Sequence, residues 1–181
     1  MLVALTGTPG VGKSAVSQML KVKGYTVVDI NAVVSEYHLY SSIDAKRNSK
    51  IIDFKKLNAH IEETYAQQDL VILDSHVSHL INGVDKVIIL RCHPTNLQQR
   101  LSTRQWNMEK IKENVEAEVL DVILCEAVEH HAKSNIFEID TTHLPTEGVV
   151  STVQDIIQHN FKKRKKYNIG NIDWSDELLQ D

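Results

Sequence analysis

The stretch GTPGVGKS, residues 7–14, follows directly on the short apolar run LVALT, residues 2–6. Its spacing, G-x4-G-K-S, is that of a loop that binds phosphate groups. Glycines let the backbone approach phosphate oxygens closely, and the start of the next helix supplies N–H groups and positive potential. An ordinary turn between a strand and a helix is the alternative. The apolar run before the loop and the helical pattern after it favour a phosphate-binding loop.

Two side chains of this loop have predicted roles. We expect the ammonium of Lys13 to reach the β- and γ-phosphates of ATP, and the hydroxyl of Ser14 to bind Mg²⁺. The predicted cofactors are therefore ATP and Mg²⁺. The Asn-Lys-x-Asp stretch that GTPases need is absent from the sequence. Helicase-like ATPases are usually larger than 181 residues, so the small P-loop kinases fit best.

Apolar runs alternate with segments of helical periodicity along the chain. The runs predict five strands, at 2–6, 25–30, 70–74, 86–92 and 135–140. The segments between them predict a helical hairpin within 31–54, one long helix at 108–132 and a last helix at 146–161. Strands that alternate with helices in this way predict an α/β fold, in which a parallel sheet is covered by helices on both faces.

Composition limits the location and the partners of the chain. The two cysteines, Cys92 and Cys125, match no metal-ligand spacing and favour a reducing, cytoplasmic location. The first residues lack the basic region of a signal peptide, and no apolar run approaches the ~18 residues of a membrane span, so we expect no membrane contact. The net charge of −4 gives no general attraction to nucleic acid. The basic run 162–166, before an acidic end, is either a solvated surface or a contact with RNA.

The stretch LVILDSH ends a predicted buried strand with a carboxylate. Asp74 is expected to be the second Mg²⁺ ligand, either directly or through water. His76 lies two residues later and points the same way if the strand continues, where it would orient water or contact a phosphate. The alternatives are a strand-end cap for Asp74 and a packed or hydrogen-bonded side chain for His76.

Three of the five arginines lie close together, at positions 91, 100 and 104. Guanidinium groups suit the charge that spreads over a transferring phosphoryl group. Arg100 and Arg104 are four residues apart, on one face of a helix whose end would form a mobile lid that excludes water. A solvated helix face with ordinary surface arginines is the alternative.

Four stretches together resemble a known family: GTPGVGKS, VVDINAVVSEYHLY, LVILDSH and LQQRLSTRQWNMEKIKENVEAEV. They are similar to the small adenylate kinase-like proteins of ribosome assembly, the archaeal relatives of the coilin-interacting nuclear adenylate kinase of animals and of its yeast counterpart. The resemblance covers about residues 1–160. It implies a nucleoside monophosphate kinase fold with strand order 2-3-1-4-5. We expect one domain over residues 1–161 and, beyond the part that the resemblance covers, a basic then acidic tail over 162–181.

The resemblance also implies where substrates bind. It implies an acceptor-binding segment at about 30–53 and a short lid at about 103–113, in which Arg104 contacts ATP. Asp74 and His76 match the Asp-x-His pair that the family links to hydrolysis and assembly. The ATP-binding residues that it implies are Gly10, Gly12, Lys13, Ser14 and Ala15.

Members of this family are described as weak adenylate kinases of broad specificity that also hydrolyse ATP. The resemblance therefore implies binding of the small-subunit ribosomal protein S11, called S14 in yeast, and a role in small-subunit rRNA maturation. Direct contact with that rRNA is an open alternative for the basic run 162–166. This chain departs from the animal members in its acceptor segment, SSIDAKRNSK, which carries Lys46, Arg47 and Lys50 where theirs is rich in acidic residues.

Our expectation from the sequence is an ATP:nucleoside monophosphate phosphotransferase with AMP as the acceptor. In this interpretation Arg104, helped by Arg100 or Arg91, stabilises the transferring group, and Ser14 and Asp74 hold the metal ion. The expected catalytic residues are Lys13, Asp74, His76, Arg104 and Arg100. An ATP-driven assembly switch with little kinase role and a small-metabolite kinase of shikimate or coenzyme type are the alternatives.

Overall fold

A computed structural model describes residues 1–44, 49–104 and 106–179. The strands are β1 (Leu2–Thr6), β2 (Thr26–Asp29), β3 (Tyr40–Asp44), β4 (Ser49–Ile52), β5 (Val71–Asp74), β6 (Val84–Arg91) and β7 (Ile136–Asp140). The α-helices are α1 (Lys13–Val22), α2 (Ile30–Glu36), α3 (Phe54–Tyr65), α4 (Pro94–Ser102), α5 (Met108–Val119), α6 (Val122–His130) and α7 (Thr146–Gln158). In the described part of the chain, no helix is long and apolar enough to cross a membrane.

The central sheet has five parallel strands in the order β2-β5-β1-β6-β7. These are the five strands predicted from the sequence, and their order along the sheet is the predicted 2-3-1-4-5. One apolar core lies between the sheet and α1, α4, α5 and α7, and the other lies between the sheet and α2, α3 and α6. Because both faces are covered, the strands read as continuous apolar runs.

The strand order places the loop after β1 at the middle of one edge of the sheet. The chain leaves β1 between β5 on one side and β6 on the other. All five strands are parallel, so their carboxyl ends share this edge, and the order of connection reverses beside β1. Open α/β sheets bind ligands in the crevice at such a point. Asp29 and Asp74, the last residues of β2 and β5, are paired side by side there.

The prediction of a helical hairpin within residues 31–54 is wrong. Among the described residues of this segment, α2 is followed by an antiparallel β-hairpin of β3 and β4, and α3 begins at Phe54. His38 has a left-handed backbone with φ 55°, which ends the helical path. Ile43 and Ile51 are exposed, and Tyr40 and Ile52 at the base of the hairpin are only partly buried against the core, so the sequence shows no clear apolar alternation. Lys46 and Arg47 of the acceptor segment lie outside the described residues.

The predicted single helix at 108–132 is two helices, α5 and α6. The break lies at Asp121, whose backbone is left-handed with φ 55°. Its carboxylate forms an ion pair with the guanidinium of Arg91, and this contact stabilises the break. Asp adopts the left-handed region more readily than most residues, so the break is tolerated at this position. No glycine or proline marks it in the sequence, and the apolar spacing alone therefore suggested a continuous helix.

The segment after α7 folds back on the domain. Tyr167 is 6% exposed, packs in the same core as Phe161, and donates a hydrogen bond from its hydroxyl to Asp155 of α7 at 3.0 Å. The guanidinium of Arg164 pairs with the same carboxylate at 2.6 Å. The ammonium of Lys163 lies 4.8 Å from the centre of the Phe137 ring. Part of the basic run is therefore used to attach this segment.

We expect replacement of Tyr167 by Ala to lower the free energy of unfolding by about 3 kcal/mol, because it empties a buried aromatic site and removes one of the donors to Asp155. Urea denaturation followed by circular dichroism measures the change. Tyr37→Ala is the matched control, since that ring is 51% exposed and the loss should be much smaller. Equal losses in both variants would contradict the assigned packing of the C-terminal segment.

Candidate functional site

A cavity of about 930 Å³ opens at the carboxyl edge of the sheet. Its walls come from the loop after β1, the ends of β2 and β5, the segment between α4 and α5, and the helices α5 and α6. Most of the residues that the sequence singled out lie in these walls: Gly10, Gly12, Lys13, Ser14, Ala15, Asp74, His76 and Arg104. Within the described part of the acceptor segment, residues 30–44 and 49–53, only Asn31 lines the cavity.

The loop after β1 is held in its shape by left-handed glycines. Gly7 has φ 137° and Gly12 has φ 110°, which disfavour residues with a side chain. Gly7 also lies against β6, where a Cβ atom would be only 2.3 Å from the carbonyl oxygen of Leu90. Gly12 precedes the first residue of α1, so the N-terminal N–H groups of this helix face the cavity.

Lys13 is the first residue of α1, and its ammonium bends back over the loop. It donates hydrogen bonds to the carbonyl oxygens of Gly7 at 2.5 Å and Thr8 at 3.1 Å. Burial lowers the pKa of Lys13 to about 8, although the carboxylates of Asp74 and Glu118 oppose the shift. The ammonium is thus a desolvated cation at the centre of the loop, where it attracts an anionic ligand.

Asp74 and Ser14 bring oxygen ligands to the same cavity. Burial raises the pKa of the Asp74 carboxyl, and Ser17 and Lys13 oppose this shift while Asp29 adds to it. Mg²⁺ prefers oxygen ligands and is usually bound by one or two protein groups together with substrate phosphates. A hydroxyl and a carboxylate beside a phosphate-binding loop fit that chemistry. In residues 1–44, 49–104 and 106–179, no three His, Cys, Asp or Glu side chains form a metal site by themselves.

His76 lies just beyond the end of β5, where strand geometry has given way to a turn. Its side chain is exposed to the cavity. The surrounding walls, and then the charge of Lys13, lower the pKa of His76, so the imidazole is neutral at pH 7. A neutral imidazole has one donor and one acceptor nitrogen, and can orient a water molecule in the cavity.

Arg104 lies in the exposed segment after α4, at the mouth of the cavity. Its guanidinium lies 5.2 Å from the centre of the Trp106 ring, and the ammonium of Lys110 lies 4.2 Å from the same centre. Two cations are therefore gathered on one aromatic side chain at this wall. Sequence analysis did not assign Trp106 or Lys110. Their proximity to Arg104 along the chain was the available signal.

Arg100 is not brought together with the other predicted catalytic residues, although it lines a smaller cavity with Gly10 and Gly12. Its guanidinium donates to the carbonyl oxygens of Thr141 at 2.9 Å and Thr142 at 3.1 Å, and it reaches the carbonyl of Val11 at 3.4 Å. These bonds tie the back of the loop to the segment after β7. Arg100 does not line the large cavity, so the geometry gives it a positioning role for the loop instead of a contact with a transferring group.

Arg91 is also unavailable to a ligand. Its side chain is 3% exposed and is bound by the carboxylates of Glu118 at 2.8 Å and Glu138 at 2.6 Å, and by that of Asp121. Burial acts to lower the pKa of Arg91, but these carboxylates hold it above its ordinary value. The expectation that Arg91 helps to stabilise a transferring group therefore has no support in this geometry.

A second, smaller cavity of about 310 Å³ lies on the other side of the loop. The loop residues Gly10, Val11 and Gly12 form one of its walls. The apolar side chains of Leu144 and Pro145, in the segment before α7, form another. The two cavities share Gly10 and Gly12, so one extended ligand that crosses the loop contacts both.

Comparison with known proteins agrees with this arrangement. A family model described as "AAA domain" matches residues 3–121. A protein of Methanocaldococcus jannaschii described as "Putative adenylate kinase" is 42% identical over 180 residues, which are 99% of this chain and 96% of the relative. A protein of Archaeoglobus fulgidus with the same description is 43% identical over 178 residues, which are 98% of this chain and 94% of the relative.

Solved structures support the fold. The protein TT1252 of Thermus thermophilus matches with a TM-score of 0.61 at 12% identity, over 90% of this chain and 98% of that one. The shikimate kinase of Bacteroides thetaiotaomicron matches with a TM-score of 0.55 at 14% identity, over 87% of this chain and 98% of that one. At such identities the likeness bears on the fold and not on the acceptor.

Two glycines of the loop give a matched pair of variants. We expect Gly7→Ala to lower the melting temperature of the unliganded protein more than Gly12→Ala. Both variants force alanine into a left-handed backbone, at a cost of about 1–3 kcal/mol. Only the Cβ atom at Gly7 meets backbone, whereas nothing lies within 4 Å of one at Gly12. Differential scanning calorimetry measures the difference, and equal or reversed shifts would contradict the loop conformation.

Proposed function

The chain belongs to the adenylate kinase-like family of P-loop proteins, and from this premise we propose that it transfers the γ-phosphoryl group of ATP to a nucleoside monophosphate, with AMP as the main acceptor. One observation carries the proposal. Lys13, Asp74 and Arg104 come from three separate parts of the chain and line one cavity at the edge of the sheet. This combination of two cations and a carboxylate is suited to a magnesium-bound triphosphate.

The binding of ATP follows from the loop. The N–H groups of the loop and of the first turn of α1 donate to the β- and γ-phosphates, and Lys13 leaves the carbonyls of Gly7 and Thr8 to contact the same oxygens. Ser14 and Asp74 hold Mg²⁺, which neutralises phosphate charge when it is bound. The small cavity beyond Gly10 and Gly12 is proposed to take the base, because Leu144 and Pro145 offer it an apolar wall.

The acceptor is proposed to bind in the remainder of the large cavity. Ligand pockets usually measure about 300–1,000 Å³, so a cavity of 930 Å³ has room for a second substrate beside the triphosphate. Asp29 and Asn31 lie at the end of β2 and the start of α2, and with Glu126 of α6 they line the side opposite the lid. These polar groups suit hydrogen bonds to a ribose or a base.

Arg104 is proposed to stabilise the transferring phosphoryl group. It lies on the segment between α4 and α5, and residues 103–113 are proposed to act as a lid that closes over bound ATP. The guanidinium rests near Trp106 and is otherwise exposed, so a short movement brings it towards the phosphates. No side chain is required as a strong base, since positioning and electrostatic stabilisation dominate this chemistry.

A second candidate function is an ATP-hydrolysing assembly switch. The neutral imidazole of His76 faces the cavity next to Lys13 and Asp74, where it could orient an attacking water. The sequence resemblance to ribosome-assembly proteins adds ribosomal protein S11 as the partner, with a role in small-subunit rRNA maturation in the cytoplasm. Hydrolysis would then reset the complex, and transfer to a monophosphate would be secondary.

The proposed function is tested by acceptor dependence. We expect AMP to raise ADP formation from Mg²⁺ and ATP well above the rates with other monophosphates, with shikimate or without an acceptor, as quantified by anion-exchange chromatography. Lys13→Ala should lower this rate by at least about 100-fold, because it removes a preorganised cation from the transferring phosphates. Lys55→Ala, at an exposed position on α3, is the matched control.

Other outcomes of this experiment would indicate a different function. If AMP has no effect but S11 raises phosphate release, the assembly switch is the primary function. Stimulation by shikimate alone would identify a small-metabolite kinase. Full turnover in Lys13→Ala would remove the loop from the mechanism altogether.

Replacement of Arg104 by Ala is expected to lower phosphoryl transfer by about 10³-fold while ATP still binds, because an arginine of this kind acts mainly on the transition state. Arg104→Lys keeps the charge but loses the planar fork, so we expect only partial recovery. Single-turnover rates and ATP affinity, measured separately, distinguish the two effects. A transfer rate that Arg104→Ala leaves unchanged would show that the lid contributes nothing to catalysis.

A further inference from the structure

A buried hydrogen bond connects the phosphate-binding loop to α5. The hydroxyl of Thr8 donates to Oε2 of Glu118 at 2.5 Å, and each residue is only 2% exposed. Thr8 belongs to the loop, whereas Glu118 lies at the end of α5 away from the lid. The earlier turns of this helix carry Lys110 and Asn114 to the cavity wall. One contact therefore joins two walls of the same cavity.

The second oxygen of Glu118 is fixed by β6. Oε1 accepts hydrogen bonds from Nε of Arg91 at 2.8 Å and from the backbone N–H of Cys92 at 3.1 Å. Nη2 of Arg91 also donates to the carbonyl oxygen of Glu118 at 3.2 Å. With donors on both oxygens, the carboxylate has one orientation, and it presents Oε2 to Thr8.

The same guanidinium extends the contacts to the C-terminal segment. Nη1 of Arg91 donates to Oε1 of Glu138 at 2.6 Å, and Oε2 of Glu138 accepts from the backbone N–H of Gly170 at 2.8 Å. A continuous series of polar contacts thus runs from the exposed Gly170 through the buried Glu138, Arg91 and Glu118 to the loop. Buried charges of this kind are costly to desolvate and contribute weakly to stability compared with apolar packing.

Thr8 acts on Lys13 through its backbone. The carbonyl oxygen of Thr8 accepts a hydrogen bond from the Lys13 ammonium at 3.1 Å. Rotation or displacement of the Thr8 peptide would move this acceptor and change the path of the loop around a phosphate. The hydroxyl bond to Glu118 holds the side chain of the same residue, so it restricts both movements.

We propose that Glu118 is a positioning residue for the nucleotide site, which fixes Thr8 and thereby sets the path of the loop relative to α5. Arg91 orients Glu118, and Glu138 with Gly170 supports Arg91 from the C-terminal segment. The proposal rests on the proposed function in one respect, since ATP is the ligand whose affinity reports the position of the loop.

A double-mutant cycle on the full chain tests the inference. Glu118→Gln and Thr8→Val, alone and together, are titrated with ATP and Mg²⁺ by isothermal titration calorimetry. Each single change is expected to weaken ATP binding about tenfold, as loss of a supporting contact does at other sites. The double variant should bind no worse than the weaker single variant, because both changes remove the same bond.

Two further variants separate positioning from general damage. Thr8→Ser retains the hydroxyl and is expected to recover most of the affinity that Thr8→Val loses. Glu116→Gln makes the same chemical change as Glu118→Gln on the same helix, but at an exposed position where the carboxylate pairs with Lys112. This variant should bind ATP like the unmodified chain. The Thr8 pair decides the question even if Glu118→Gln does not fold.

The outcomes are distinguishable. Additive losses in the cycle, or equal affinities for Thr8→Val and the unmodified chain, would overturn the positioning role. A lower melting temperature with unchanged ATP affinity at 10 °C would make the bond purely structural. If the unmodified chain binds no ATP, the proposed function fails instead.

Discussion

The buried guanidinium of Arg91 is the contact on which the arrangement of the site depends. It is the last residue of β6 and binds carboxylates from α5, from β7 and from the break between α5 and α6. Removal of one partner from such a group leaves an uncompensated buried charge, which typically costs about 3–5 kcal/mol. Arg91 therefore fixes where α5 ends and how it crosses the sheet, and α5 forms a wall of the cavity. Arg91 was expected to assist catalysis. It instead supports the site through its buried ion pairs.

Charges of both signs line the large cavity. The cations are Lys13 at the start of α1, Arg104 in the segment between α4 and α5, and Lys110 of α5, a helix that also brings Glu109 and Glu113 to the cavity. The carboxylates of Asp29 and Asp74 come from the carboxyl ends of two neighbouring strands. A triphosphate with a metal ion would suit this lining, because Lys13 and Arg104 would attract its oxygens and a carboxylate would hold the metal.

Much of this could be predicted from the sequence where the signal is local. The loop has a fixed spacing, and strands buried on both faces read as unbroken apolar runs, so the sheet and the position of Asp74 followed. The order of the strands was implied by the family resemblance and not by any local signal. The failures have long-range causes. Arg100 is held by carbonyl groups about 40 residues later, and a carbonyl has no signature in the sequence. The break at Asp121 depends on Arg91, and the hairpin after α2 touches the core only at its base, through Tyr40 and Ile52, so burial imposes no alternating pattern along its strands.

The contact between Thr8 and Glu118 spans 110 residues, and it has a consequence for the order of folding. The loop is encoded by eight adjacent residues, but Gly7 lies against β6 and Thr8 is bound to α5. Contacts between distant residues form late, because the intervening chain must first lose its freedom. During synthesis the amino-terminal part of the chain emerges first. A nascent chain that carries the complete loop therefore still lacks a finished site until residue 118 has left the ribosome and docked.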